Sequence, residues 1–204
     1  MLVIKERLKK MYKVVTLSGK AGAGKDRLMH EVRKIMPELH EIISCTTRPK
    51  REGEIDGVNY HFLTHDEFSE RLNNGTMVEA TVFNDWCYGT CLEHMSPTEV
   101  NIGVYNPEGV SILQCMPEVQ IYPIFIDASD KTRLLRQLNR ESNPNVKEII
   151  RRFGADEEDF SPSNLIDIEF KQTINNDGYY GLFQLTEELA HIIRHIDWVG
   201  APQD

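Results

Sequence analysis

The sequence predicts an α/β domain built on a parallel sheet, and three observations carry that prediction. An apolar run, Tyr12-Lys13-Val14-Val15-Thr16-Leu17, passes directly into Gly19-Lys20-Ala21-Gly22-Ala23-Gly24-Lys25 and then into a helical periodicity, a strand, glycine-rich turn and helix in succession. Further on, β-rich runs alternate with helical ones, which is the pattern of parallel strands joined by crossover helices. Between residues 46 and 90 the alternation breaks into several short strands and one short helix, which reads as a small inserted subdomain.

Taken in order, residues 1–11 read as a polar, helical or frayed extension before the first strand. Leu28, Met29, Val32, Ile35 and Met36 recur at helical spacing until Pro37 stops the run, and they read as core. His40 to Cys45 reads as a second short strand. Val58 to Phe62 alternates as a strand, and Thr64 with Glu67 forms a capping box opening a helix that Gly75 closes near Asn74. Met77 to Phe83 and Trp86 to Tyr88 follow as strands about an Asn84-Asp85 turn. Val100 to Tyr105 and Gln120 to Ile126 return to the core. A helical stretch with Thr132, Leu134, Leu135 and Leu138 reaches Arg140. A helix is expected over Val146 to Phe153, a last strand over Ile168 to Ile174, and a closing amphipathic helix over Leu182 to Ile196.

Composition narrows the function class. A chain of 204 residues, 40% hydrophobic and 27% charged, is long enough for one domain with a sizeable core. No apolar run approaches the roughly 20 residues of a membrane helix, and the first residues lack a signal peptide's apolar stretch, so a cytoplasmic protein without membrane attachment is expected. A net charge of −9 argues against general nucleic-acid binding but leaves room for a small phosphorylated ligand held by a local basic cluster. Cys87, Cys91 and His94 are near enough in sequence to suggest a metal site. No fourth ligand stands at a recognisable spacing, and the bland reading of reduced thiols is preferred.

The chemistry begins at the glycine-rich loop. Gly19, Gly24 and Lys25 fit G-x-x-x-x-G-K-[ST], in which consecutive amides cradle phosphates, the lysine reaches the β/γ phosphates and a hydroxyl holds Mg²⁺. Asp26 stands where the hydroxyl belongs. It can hold Mg²⁺ directly or through water, and it also adds negative charge beside the polyphosphate. Arg48 and Arg51 lie three apart in a polar loop with Ser44, Thr46 and Thr47, and their planar forks suit bidentate contact to phosphate. Tyr60 and Tyr88 offer phenolic hydrogen bonds to the same group, or pack as ordinary strand residues.

The run from Ser44 to Phe62, Ser-Cys-Thr-Thr-Arg-Pro-Lys-Arg-Glu-Gly-Glu-Ile-Asp-Gly-Val-Asn-Tyr-His-Phe, resembles the monophosphate-binding segment of guanylate kinases. Glu79 and Tyr88-Gly89-Thr90 fall at that family's next markers, and a weaker similarity covers most of residues 12–196. The resemblance implies a P-loop NTPase-type fold, a three-layer parallel sheet with an inserted monophosphate-binding subdomain and a mobile lid. The core is expected at about 12–45, 91–135 and 165–198, the insert at about 46–90 and the lid at about 136–164. It also implies ATP-dependent phosphoryl transfer to a nucleoside monophosphate, most often GMP or dGMP, with Mg²⁺.

By that resemblance Gly19, Ala21, Gly22, Ala23, Gly24, Lys25, Asp26 and Arg27 surround the ATP phosphates, and Asn175 lies near its adenine. Ser44, Arg48, Arg51, Tyr60 and Tyr88 hold the acceptor phosphate, while Glu79 and Thr90 read the base. A carboxylate accepts from both N1–H and N2–H of guanine, whereas adenine has no N1–H. Lid arginines, with Arg140, Arg151 and Arg152 as candidates, neutralise charge on the transferring group. Three departures stand out: Asp26, Asn106 in place of an acid after the next strand, and a shortened, Pro97-containing stretch between Thr90 and Asn106. Asn106 retains a donor and an acceptor for a base. These departures motivate two rival expectations, a binding module that has lost catalysis and a kinase for another deoxynucleotide. Oligomeric state is not legible.

Overall fold

The computed structural model describes residues 11–50, 53–83, 86–140, 142–178 and 181–198. The expectations for residues 1–10, for Arg51 and for the Asn84-Asp85 turn lie outside them. In chain order the elements are β1 (Tyr12–Ser18), α1 (Lys25–Ile35), β2 (His40–Glu41), β3 (Cys45–Thr46), β4 (His61–Phe62), α2 (His65–Asn73), β5 (Met77–Phe83), β6 (Trp86–Cys91), a 3₁₀ turn (Leu92–His94), β7 (Val100–Val104), α3 (Pro107–Gln114), β8 (Val119–Asp127), α4 (Asp130–Leu138), α5 (Val146–Asp159), α6 (Pro162–Leu165), β9 (Gln172–Asn175) and α7 (Leu182–Arg194).

Five strands form an all-parallel sheet in the order β2-β7-β1-β8-β9. The period of two along β1 sends Val15 and Leu17 to one face and Tyr12 and Val14 to the other. The first face is covered by Leu28, Met29 and Val32 of α1 with Leu185, Leu189 and Ile193 of α7. The second is covered by Val110 and Leu113 of α3 together with Ile168. Helices on both faces explain why β1 is buried along nearly its whole length, Thr16 and Ser18 included.

The insert forms a second sheet of four strands, β4-β3-β6-β5, in which β3 runs parallel to β4 and antiparallel to β6. Helix α2 packs on this sheet through buried Phe68. Its capping box is present, with Glu67 N–H donating to Thr64 Oγ1 at 3.2 Å and Thr64 N–H donating to Glu67 Oε2 at 2.7 Å. Gly75 ends the helix region with φ +64.

Several boundaries differ from the sequence reading. The strand expected over His40–Cys45 is two strands in different sheets, β2 against β7 and β3 against β6, so the chain leaves the core between them. The Val58–Phe62 strand shrinks to His61–Phe62, because Ile55 to Tyr60 closes a turn in which Gly57 N–H donates to Tyr60 O at 2.9 Å and Asn59 Oδ1 accepts from Ile55 N–H. Strand β6 continues to Cys91, past the expected Tyr88, and α5 continues past Phe153 to Asp159. The last strand begins at Gln172 instead of Ile168, which instead packs under α3. In α4 the leucines at 134 and 135 are exposed and Arg133 is the buried residue, a reversal of the expected apolar face. The short stretch before β7 holds only a 3₁₀ turn where a longer helix is usual in the resembled family.

The capping box yields a direct test. Thr64→Ala removes the acceptor for an orphan helix amide at an exposed site, and should cost about 1 kcal/mol in urea unfolding with little effect on the distant phosphate loop.

Candidate active site

The carboxyl end of β1 turns through the glycine-rich loop into α1. Gly19 has φ +153, and a Cβ there would lie 2.2 Å from the carbonyl oxygen of Ile126 on the adjacent β8. Gly22 has φ +83, and its Cβ would lie 2.6 Å from Arg133 O. Both positions need a residue without a side chain, because backbone of the neighbouring elements occupies the space. Gly24 is the N-cap of α1 and supplies no side-chain cap, so the first helix amides remain available to an anion.

Lys25 folds back over the loop, its Nζ donating to Gly19 O at 2.6 Å and Lys20 O at 3.3 Å. Burial pulls its pKa down, opposed by the nearby carboxylates of Asp26 and Asp156. Asp26 and Arg27 are exposed in the first turn of α1. One loop amide already has an anionic partner: Ala21 N–H donates to Asp156 Oδ2 of α5 at 2.8 Å. Lys20 pairs with Glu157 one residue on, at 2.5 Å.

Beneath the loop, Arg133 is 1% exposed in its side chain and faces Asp130 at 3.4 Å, Asp156 at 3.6 Å and Glu157 at 3.7 Å. Its guanidinium also lies 4.3 Å from the Phe153 ring centroid, yet none of its nitrogens has a hydrogen bond of good geometry. Asn176 Nδ2 donates to Ala23 O at 2.7 Å, and Arg136 Nη2 holds Asn176 O at 2.8 Å. The phosphate loop is thus braced by α4, α5 and the end of β9.

The inserted sheet supplies the facing wall. Arg48 makes a fork to Glu54, Nη1 to Oε2 at 3.0 Å and Nη2 to Oε1 at 2.7 Å, and lies 5.5 Å from the Tyr60 ring centroid. Tyr60 meets Tyr88 edge to face at 6.0 Å. Burial pushes the Tyr60 phenol up to about 12, with the charge of Asp26 adding to the effect, so Asp26 lies within electrostatic reach of the insert.

Glu79 is buried on β5, directly across from Thr90 on β6. Burial raises its carboxyl to about 7, Thr90's hydrogen bonds pull the other way, and Glu108 adds repulsion. Thr90 Oγ1 is 3.3 Å from the hydroxyl of buried Tyr105. Asn106 caps α3, its Oδ1 accepting from Gly109 N–H at 2.9 Å, which leaves its amide nitrogen for other contacts.

A cleft of about 280 Å³ joins the two walls, lined by Gly19, Ala21 and Lys25 on one side and Ser44, Tyr60, Glu79 and Tyr88 on the other, with Asn106 at its floor. Eight of the residues singled out in the sequence therefore meet in one cavity. Others do not line it. Thr90 stands behind Glu79, Arg48 is turned to Glu54, and Asp26 and Arg27 lie at the rim of the loop. Arg151 and Arg152 both pair with Glu148 on their own helix, at 2.8 Å each, and hold its carboxyl down at about 2. Arg140 is exposed beyond the end of α4. Asn175 is exposed and accepts from Asp177 N–H, while its neighbour Asn176 is the one that reaches the phosphate loop.

Sequence reasoning missed Asp156, Asp159 and Phe160, which also line the cleft, and the buried Arg133. For Asn176 a signal existed: Ile174 is buried in β9, and strand alternation sends residue 176 inward and 175 outward. For Asp156 there was none, since it sits in an acidic run with no distinguishing neighbour.

The guanylate kinase family profile matches residues 11–195 of this chain. The chain belongs to the guanylate kinase family. The guanylate kinase of Frankia casuarinae is 33% identical over 146 residues, covering 68% of this chain and 77% of that one. That of Chlorobium luteolum is 39% identical over 88 residues, 43% of this chain and 45% of the relative, and that of Campylobacter jejuni RM1221 is 28% identical over 68% of this chain and 70% of the relative. Among solved structures, the guanylate kinase of Anaplasma phagocytophilum superposes with a TM-score of 0.61 at 20% identity, covering 91% of this chain and 86% of that one. The family match indicates a nucleoside monophosphate kinase, and the α/β architecture with its parallel sheet is consistent with a P-loop NTPase-type fold. Among the described residues no helix is long and apolar enough to cross a membrane.

The buried carboxyl of Glu79 makes a pH-dependent contribution whose sign can be checked. Its folded-state value of about 7 lies above that of an exposed glutamate, so the folded chain holds an extra proton between the two. The associated stability is full below the unfolded value and is lost as pH rises through about 7. Glu79→Gln, which stays neutral, should therefore gain on the wild type by a few kcal/mol between pH 5 and pH 8. Urea unfolding of both proteins at the two pH values measures this; a difference that does not change with pH refutes it.

Proposed function

We propose that this chain transfers the γ-phosphoryl group of ATP to a guanine nucleoside monophosphate, GMP or dGMP. The observation that carries the reading is the single cleft in which the phosphate loop and Lys25 face Ser44, Tyr60, Tyr88 and Glu79. Two phosphate-recognising walls that share one cavity suit a donor and an acceptor held end to end.

In this reading the amides of Ala21, Gly22, Ala23 and Gly24 and the ammonium of Lys25 cradle the ATP phosphates. Arg27 borders them, and Asn175 lies toward the adenine. Ser44, Arg48, Arg51, Tyr60 and Tyr88 fix the acceptor phosphate, with Arg48 exchanging Glu54 for it. Glu79, supported by Thr90, accepts from N1–H and N2–H of guanine, and Asn106 offers its amide nitrogen to the same base. A base without that donor pair leaves a buried carboxylate unpaired, which is how a polar pocket discriminates strongly. Residues 136–164 act as the lid over a core of 12–45, 91–135 and 165–198, and residues 46–90 as the acceptor insert. Arg140 and Arg152 come from the lid, Arg152 giving up Glu148.

Catalysis here is positioning and electrostatics, with no covalent enzyme intermediate. The donor set also fits Mg²⁺: Asp26 is an exposed carboxylate at the loop, and this cation is commonly held by one carboxylate with waters and substrate phosphates. The ion would supply charge neutralisation between the phosphates. Retention of Lys25 and of the acceptor wall argues against a silent binding module. The substrates are small nucleotides; with a net charge of −9 the protein has no general use for nucleic acid, and four unpaired cysteines suit the cytoplasm.

A coupled assay of ADP release over GMP, dGMP, AMP, CMP and UMP tests the reading. GMP or dGMP should be favoured by at least about a hundredfold in kcat/KM, Lys25→Met should abolish most turnover, and Glu79→Gln should lower kcat/KM for GMP by about a hundredfold. Absence of turnover with every monophosphate overturns it.

A further inference from the structure

Outside the cleft, on the far side of the inserted sheet, two cysteines and a histidine converge. Cys45 Sγ and Cys91 Sγ are 3.4 Å apart, and Cys45 Sγ is 3.9 Å from His94 Nδ1. All three donor atoms lie within 4.8 Å of one another. Cys45 is on β3, Cys91 ends β6 and His94 closes the 3₁₀ turn that follows. The sequence pairs Cys91 and His94 with Cys87, but residues four apart on a strand are about 13 Å apart. Register replaces Cys87 with Cys45, which lies opposite Gly89 and diagonally across from Cys91.

We propose that Cys45, Cys91 and His94 bind a zinc-class divalent cation that clips β3 to β6. Tetrahedral zinc with S at about 2.3 Å and N at about 2.0–2.1 Å requires sulfur–sulfur and sulfur–nitrogen separations of about 3.8 and 3.6 Å. The Cys45–Cys91 and Cys45–His94 distances differ from these by only a few tenths of an ångström, and the Cys91–His94 separation lies within 4.8 Å. Two thiolates and an imidazole are soft and borderline donors, which select zinc over magnesium or calcium. The surroundings are those of a ligand set. His94 Nε2 lies 3.6 Å from Glu93 Oε1, a carboxylate that orients the ring with its other nitrogen toward the sulfurs. Arg71 Nη1 sits 3.6 Å from Cys91 Sγ, and Arg71 is itself anchored by Glu93. His61 stacks on His94 at 3.8 Å and fixes its plane. The three protein donors leave a fourth position of the tetrahedron for a further ligand.

Packing alone accounts for two buried cysteines beside Phe68 and Met77, but not for a ring nitrogen and a guanidinium directed at their sulfurs. The site is independent of the reaction proposed above, although its position gives it a use. Cys45 adjoins Ser44 and Cys91 adjoins Thr90, so a clip here would fix the two strands that carry the acceptor-side residues.

The test uses the full chain, isolated reduced and without chelator, equilibrated with Zn²⁺ and desalted. Elemental analysis should find one zinc per chain. The Co²⁺-substituted protein should show a near-ultraviolet thiolate charge-transfer band with tetrahedral visible bands. Cys45→Ser and Cys91→Ser should each weaken zinc binding by at least about a hundredfold and lose the band's intensity, whereas Cys87→Ser keeps both. Zinc should raise the thermal midpoint of wild type and Cys87→Ser, but not of the other two. The proposal fails if wild type retains no zinc at micromolar free metal, or if retention survives loss of Cys45 and Cys91. It fails equally if Cys87→Ser also abolishes binding, or if fresh protein carries a Cys45–Cys91 disulfide. Should the serine variants not fold, the wild-type Co²⁺ spectrum decides alone, since absence of the thiolate band overturns the assignment.

Discussion

The structure depends on how closely the phosphate loop approaches the backbone around it. Strand β1 is the middle of the five-stranded parallel sheet, and its carboxyl end delivers Gly19 against Ile126 of β8 and Gly22 against Arg133 of α4. A side chain at either point would meet a carbonyl oxygen, so the loop can close only because those residues have none. That closure sets the direction of α1 and leaves its first amides uncapped at the mouth of the cleft. Everything opposite, the inserted sheet with Tyr60, Glu79 and Tyr88, is placed relative to that fixed edge.

The same constraint explains what the sequence revealed. The glycine loop and the Ser44–Phe62 run are local, so their residue spacing alone locates a strand, a turn and an anion site. Strand parity along β1 likewise marks its two core faces. Contacts that depend on register or on distant elements left no such trace. The swap of Cys45 for Cys87 beside His94 follows from the antiparallel pairing of β3 with β6, which no spacing in one segment reports. The burial of Arg133 beside exposed Leu134 and Leu135 follows from where α5 lays its acidic face, and the division of His40–Cys45 into two sheets follows from where the chain leaves the core. Only Asn176 was legible and overlooked, by the alternation that buries Ile174.

Electrostatics then determine what the cleft can accept. A protein of net charge −9 holds a polyphosphate only if its cations are concentrated where the phosphates lie. Lys25 lines the cleft, and other cations assigned to the phosphates or to the loop are paired internally: Lys20 with Glu157, Arg48 with Glu54, Arg152 with Glu148, and Arg133 with three carboxylates. Ion pairs at partly exposed sites such as Lys20–Glu157 and Arg152–Glu148 contribute little net stability, so exchanging a carboxylate for a phosphate costs little there. The buried Arg48–Glu54 and Arg133 pairs give way only to a partner as charged and multidentate as phosphate. The carboxylates act as place-holders that prevent the cations from repelling one another.

Asp156 is the exception that gives this exchange a direction. Its carboxylate accepts the Ala21 amide while sitting 3.6 Å from buried Arg133, and burial raises its own pKa. An anion entering the loop competes for that amide and must displace Asp156, which rides on α5 together with Glu148, Arg151 and Arg152. In the proposed reading, phosphate binding at Ala21 competes with a residue of the same helix that carries Arg151 and Arg152, so Asp156 is the group the nucleotide has to displace.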